Sequence, residues 1–146
     1  MVEINVTSDG FLLHAKEFLI AAEILLNNTL VVQSDIQFPI YFLLSRSIEL
    51  SLKSFLLSCR MTPKEVKKIS HNISDLFDNA LNRDLQNIVK FDDIEAGVIQ
   101  VLNIDYYSKR LEYRDSGGMY YIPDIVVTET VARKLVHGLS SKILGI

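Results

Sequence analysis

The chain has one cysteine, Cys59, in 146 residues, so no disulfide can form within it. Its place at the end of an apolar stretch suits a packed thiol better than a reactive one. Long hydrophobic runs are missing too. No stretch reaches the ~18 uninterrupted apolar residues of a membrane-spanning helix, so no membrane partner is expected. The opening MVEINVTSDG has no basic region followed by an apolar run, and nothing in it reads as a secretory leader. The Asn27-Asn28-Thr29 sequon then reads as chance, and the cytoplasm is the expected compartment. Three scattered histidines and one cysteine give no metal-ligand spacing. Ser116-Gly117-Gly118-Met119 lacks the P-loop pattern and reads as a turn. No Gly-x-Ser-x-Gly nucleophile motif occurs, and no cofactor is expected. There are no repeats, no low-complexity segment and no linker, which leaves a single domain over residues 1–146.

Positive charge is also in short supply. Fifteen Lys and Arg face eighteen Asp and Glu, for a formal net charge of −3. That argues against a surface that tracks nucleic-acid phosphates throughout, while a local basic patch stays open. What the chain does have is apolar material, 49% against 23% charged residues, enough to bury one core without staples.

Most of that material recurs at helical spacing. Asp9 can cap a first helix to about Asn28, with Phe11, Ala15, Phe18, Ala22 and Leu25 on one face. TLVVQSDIQF breaks the pattern as a connector. A second helix starts near Phe38, tolerates Pro39 in its first turn and runs to about Arg60. Thr62, Pro63 and Glu65 form a capping-box signature for a short helix to about Ile69. Another short helix follows a cap at Ser70 or Asn72. Asp92, with Glu95 three residues on, caps a helix over FDDIEAGVIQVLNIDYY, where Gly97 costs about 1 kcal/mol. SKRLEYRDSGGMYYIPD, with Gly117-Gly118, reads as a small hairpin or an ordered loop. Pro123-Asp124 opens a last helix with Val127, Val131, Leu135, Leu139 and Ile143 on its core face, widened by Ala132 and Val136. The expected architecture is an all-α, up-and-down bundle of five to six helices.

The second helix carries an unusual patch. In SRSIELSLKSFLLSCR, Tyr41, Leu44, Ile48, Leu52, Phe55 and Leu56 share one broad face, and Leu43, Leu50 and Leu57 lie nearly opposite. Ser47, Ser51 and Ser54 form a small-residue strip where another backbone can come close. Arg46, Glu49 and Lys53 fall within a sector of about 60°, flanked by apolar residues on both edges. The helix is therefore expected to be central, with these charges at a narrow, partly shielded seam. Glu49 and Lys53 have the favourable i,i+4 order, and Arg46 reaches the same carboxylate from i−3. Two readings stand: an ion-pair network that holds helix register, or a polar cleft in which Arg46 and Lys53 present donors to an anion.

YFLLSRSIELSLKSFLL resembles the signature helix of HEPN domains, whose Glu-Leu-x-Leu-Lys core is matched by Glu49, Leu50, Leu52 and Lys53. HNISDLF is similar to the family's next stretch through His71, Ile73 and Leu76. NIDYYSKRLEYRD resembles its tyrosine and arginine region before the last helix, through Tyr113 and Arg114. The resemblance spans roughly Phe11 to Leu139. It implies an up-and-down helical bundle, a homodimer, and a prokaryotic setting among nucleotide- or RNA-related systems, including toxin–antitoxin pairs with a nucleotidyltransferase-type partner. It also places His71 near the seam, where it can contact an anion, pair with Glu49, or cap and pack.

Many HEPN proteins are metal-independent ribonucleases that use an arginine and a histidine near the last helix. Here Arg133 and His137 are separated by three residues, one fewer than the family's spacing. They share a helix face with Glu129, which reads either as that motif or as a solvated polar face. Tyr106, Tyr107, Lys109, Arg110, Tyr113 and Arg114 interleave rings and positive charge. That suits stacking on bases with phosphate contact, or a loop pinned to the bundle by its tyrosines. Lys64, Lys67 and Lys68 read as a solvated helix face.

The leading expectation is a non-catalytic HEPN-like bundle binding an anionic ligand, nucleotide or RNA, or a protein partner. Arg46, Glu49, Lys53 and His71 form its cleft, and Tyr113 and Arg114 close it. The alternatives are a metal-independent endoribonuclease, a toxin or defence effector using Arg133 and His137 across a dimer, and a purely structural dimerisation module.

Overall fold

The helix signals in the sequence become six α-helices in a computed structural model that describes residues 7–28, 37–112 and 119–146. They are α1 (Ser8–Leu26), α2 (Phe38–Ser58), α3 (Pro63–Ile69), α4 (Ile73–Leu81), α5 (Asp93–Tyr107) and α6 (Ile125–Leu139). A 3-10 turn, Leu85–Asn87, lies between α4 and α5, and α6 runs on into a π turn, Ser140–Leu144. No strand occurs among the described residues, so the fold is the all-α bundle that the periodicity predicts. The Gly117-Gly118 turn, and most of the TLVVQSDIQF connector, lie outside the described residues.

Local chemistry places most helix starts. Thr62 accepts from the Glu65 amide at 3.1 Å, and the Glu65 carboxylate takes the Thr62 amide at 3.3 Å, which closes the expected capping box. Asp92 and Glu95 repeat it on α5 at 2.7 and 3.0 Å. Asn72, rather than Ser70, caps α4 by accepting from the Asp75 amide at 3.1 Å. Asp124 caps α6 by accepting from the Val127 amide. The start of α1 differs from expectation: Thr7 is the cap, accepting from Gly10 N at 3.0 Å, and Asp9 lies in the first turn. An aspartate there favours the helix through its dipole without capping it.

α2 is the axial rod. Fourteen of its 21 residues are buried, so it has neighbours on nearly every side. It packs on α1, α4 and α6, with smaller contacts to α3 and α5. Leu44, Ile48, Leu52 and Leu56 are fully buried, each favouring the fold by about 2 kcal/mol over exposure. The serine strip meets α1 as anticipated. Ser47 Oγ donates to the Ala15 carbonyl at 2.8 Å, and Ser8 and Ser54 exchange hydroxyl-to-carbonyl bonds at 2.8 and 2.6 Å. Short hydroxyl side chains let two helix backbones approach, and Ser47 and Ser54 satisfy their own polar atoms in doing so, whereas the buried Ser51 Oγ has no hydrogen-bond partner among the described residues.

The core face of α1 is Leu12, Ala15, Leu19 and Ala22, with Phe11, Phe18 and Leu25 only partly buried at its edge. The buried face lies about one residue on from the expected stripe: Ala15 and Ala22 stay in it, with Ser47 of α2 reaching the Ala15 carbonyl, while Leu12 and Leu19 take the core places expected for Phe11 and Phe18. α6 buries Val131, Ala132, Leu135, Val136 and Leu139, as expected, and Thr128 besides, while Val127 and Ile143, the latter past the helix end, are only partly buried. Gly138 lets α6 approach the turn before α5: a Cβ there would lie 2.7 Å from Val89 Cγ2, a clash in a close-packed interior. α5 continues unbroken through Gly97.

Candidate functional site around a buried glutamate

Halfway along α2, Glu49 is 0% exposed. A lone carboxylate cannot stay charged at such a place, so its partners decide whether the arrangement holds. Two come from its own helix. Arg46 Nη1 lies 3.2 and 3.3 Å from the two carboxylate oxygens, and Lys53 Nζ lies 2.7 Å from Oε2. The α3–α4 joint supplies a third, His71, whose Nδ1 is 3.0 Å from both oxygens. The fourth comes from α5, where the Tyr106 hydroxyl donates to Glu49 Oε1.

The positions of His71 and Tyr106 are linked. Ser70 turns the chain with φ 63° between α3 and α4, and Asn72 starts α4 directly after His71. Asn103 on α5 accepts from the Ile73 amide at 2.9 Å and donates to Asn72 at 3.0 Å, which ties the start of α4 to α5. Tyr106 follows Asn103 by three residues on the same face of α5. One contact pair thus sets both donors against Glu49. The His71 ring meets the Tyr106 ring edge-on, with centroids 6.4 Å apart.

Burial pushes the Glu49 carboxyl upward. The charge and hydrogen bond of Lys53, the Tyr106 hydrogen bond and the charge of Arg46 together outweigh it, and the group is held below its ordinary value. It is a carboxylate at neutral pH. Burial first, then Glu49, pushes the Tyr106 phenol far above its usual range despite Arg46, so Tyr106 stays a donor. Burial works against the Arg46 cation, but Glu49 and Tyr106 prevail and raise its pKa. Two fixed positive charges therefore surround one negative charge before His71 is counted. Side-chain exposure is 11% at Lys53, 29% at Arg46 and 42% at His71, so the cluster opens to solvent at Arg46 and His71. Four donors occupy the lone pairs of Glu49, which leaves little capacity to take a substrate proton. The free guanidinium edge of Arg46 is what the cluster can offer an anion; with its Nδ1–H given to Glu49, His71 adds a second donor at Nε2 only as the imidazolium.

The structure thus brings together Arg46, Glu49, Lys53 and His71. Tyr113 and Arg114 lie outside the described residues. Tyr106, which reads from the sequence either as a base-stacking ring or as a tyrosine that pins the loop to the bundle, is 3% exposed, in keeping with the second, and its hydroxyl belongs to the cluster. Its spacing from Ile99 and Leu102 on the buried face of α5 is the signal that could have found it. The flanks of the tyrosine-rich loop are pinned. Buried Asp105 accepts from Arg110 Nη1 at 2.9 Å and from the Tyr121 amide at 2.5 Å. Arg110 also donates to the Met119 carbonyl and lies over the Tyr120 ring at 4.3 Å. Tyr41 donates to the Pro123 carbonyl at 2.6 Å, and burial with the nearby Asp124 pushes its phenol up to about 12.

On α6, Arg133 and His137 are both exposed on one face, and Arg133 Nε pairs with Glu129 at 3.2 Å. Cys59 is half-buried against the core. Among the described residues no group of three side chains has the arrangement to hold a metal ion, and no helix is long and apolar enough to cross a membrane. No protein-family model, curated protein or solved structure matches the chain.

Proposed function

We propose that the chain is a non-catalytic, HEPN-like binding module that takes a nucleotide or single-stranded RNA at the Arg46–His71 mouth of the α2 cluster. The observation that carries this reading is the charge imbalance at Glu49. Arg46 and Lys53 outnumber the carboxylate, and Arg46 and His71 keep part of their surface in water. An anion at that mouth gains charge-assisted hydrogen bonds from side chains already held in place. The resemblance adds Tyr113 and Arg114, which lie outside the described residues, as a further ring and cation.

Fluorescence anisotropy with a labelled adenine nucleotide and a labelled single-stranded RNA tests the reading. Arg46→Ala should weaken binding about tenfold, the loss of one charge-assisted contact, with helicity kept. Unchanged affinity, or no binding by the parent chain, overturns it and leaves a structural dimerisation module.

A second reading, a metal-independent endoribonuclease acting as a toxin or defence effector, draws on the exposure of Arg133 and His137 along one face of α6. It requires that the protein cleave single-stranded RNA in EDTA and that His137→Ala abolish cleavage. A parent preparation no more active than a mock one removes it.

A further inference from the structure

Lys53 also borders a second space. The first turns of α1, the C-terminal part of α2 and the start of α3 border a half-open hollow of about 330 Å3 lined by Phe11, Lys53, Pro63, Lys64, Val66 and Lys67. Its size falls at the small end of small-molecule sites, roughly 300–1,000 Å3. Phe11, Pro63, buried Val66 and the lysine stems make a wall that is almost wholly hydrocarbon, to which the ammonium groups contribute little. Every charge on the lining is positive. Lys64 and Lys67 are exposed, and neither pairs with a carboxylate among the described residues. The ammonium of Lys53 has one acceptor there, Glu49 Oε2, and an ammonium carries three donors.

Lining chemistry selects the ligand class. The side chains offer donors and hydrocarbon but no acceptor, so the amino and imino groups of a nucleobase would meet no side-chain partner. A hydrocarbon body loses nothing there, and an anionic head gains the lysines. We propose that this hollow is a binding site for a small amphipathic carboxylate. Its acyl chain or ring lies in the hollow against Phe11, Pro63 and Val66, and its head stays at the open side, where exposed Lys64 and Lys67 supply the positive charge. The site shares only Lys53 with the Arg46–His71 mouth and does not depend on nucleotide binding there.

Isothermal titration of the full chain with sodium octanoate, and with 1-octanol as its uncharged counterpart, tests the proposal. One saturable octanoate site per chain is expected, with 1-octanol weaker. The double variant Lys64→Glu/Lys67→Glu changes two exposed side chains, so the fold should survive, as circular dichroism would verify. Octanoate affinity should fall roughly tenfold or more. The control Lys90→Glu/Lys109→Glu changes net charge equally at exposed lysines that do not line the cavity, and it should bind octanoate normally. Absence of saturable octanoate binding, equal affinity for 1-octanol, or equal losses in the two double variants would each overturn the proposal.

Discussion

Glu49 and Glu129 begin from the same local motif. Each is a glutamate in a long helix with a basic residue four positions on, Lys53 in one case and Arg133 in the other, and each forms that ion pair, at 2.7 and 3.2 Å. Their environments then diverge. Glu49 gains Arg46, His71 and Tyr106, and its carboxyl is held below the ordinary value despite burial. Glu129 gains no comparable set. Burial, helped by Glu23 on α1, pushes its carboxyl up against the pull of Arg133 and His137. Its buried Oε2 has no hydrogen-bond partner among the described residues. An i,i+4 pair is worth only a few tenths of a kcal/mol by itself. Desolvation and the partners that other helices bring decide whether the charge favours the fold.

The strongest way to break this contrast is to remove both carboxylates in turn. Glu49→Ala should cost about 3–5 kcal/mol in urea unfolding, since it strands buried donors and cations without their acceptor. Glu129→Ala should cost far less, and equal losses would refute the distinction. Tyr106→Phe sharpens it by deleting one hydroxyl while keeping the ring. A cost of about 1–3 kcal/mol is expected, together with a rise in the Glu49 pKa seen by carboxyl NMR. An unmoved pKa would mean that the hydroxyl does not hold the charge.

Acid titration tests the signs. The folded pKa of Glu49 lies below that of the unfolded chain, so its contribution is complete above the ordinary carboxylate range and is lost as the pH falls toward the folded value. Glu129 behaves oppositely. Its folded pKa is raised, so stability from the protonated form is present at low pH and is lost as the pH rises through that value. NMR titration should place the two carboxyls on opposite sides of the ordinary value, and the same side for both would break the comparison. The smallest expected effect is that of Glu129→Gln, within about 0.5 kcal/mol of the parent at neutral pH, or slightly stabilising. A loss above about 1 kcal/mol would show that the carboxylate is needed as a charge.

Much of the fold was legible because helical spacing and caps are local. The Thr62-x-x-Glu65 and Asp92-x-x-Glu95 boxes, the α6 stripe and the serine strip of α2 follow from residues a few positions apart. The face of α1 was less legible. Ala15 and Ala22 hold the core places expected of them, but Leu12 and Leu19 take those expected for Phe11 and Phe18, and only packing against α2 decides between neighbouring apolar residues. At the candidate site, Arg46, Glu49 and Lys53 were legible together because one helix carries them. The pairing of His71 with Glu49 stood as one alternative among several. Burial of Tyr106 against the bundle was one of two alternatives, but its meeting with Glu49, 57 residues away along the chain, left no local trace.

The sequence by itself determined which segments coil, where most of them start, and that Arg46, Glu49 and Lys53 share one strip of α2, since 3.6-residue periodicity and side-chain caps act within a few turns. Only the tertiary structure decided that Glu49 lies wholly out of water, that His71 and Tyr106 complete its shell, and that Glu129 receives no such shell. Those outcomes depend on which helices meet across the bundle, because desolvation and long-range hydrogen bonds belong to the packed interior rather than to any one segment.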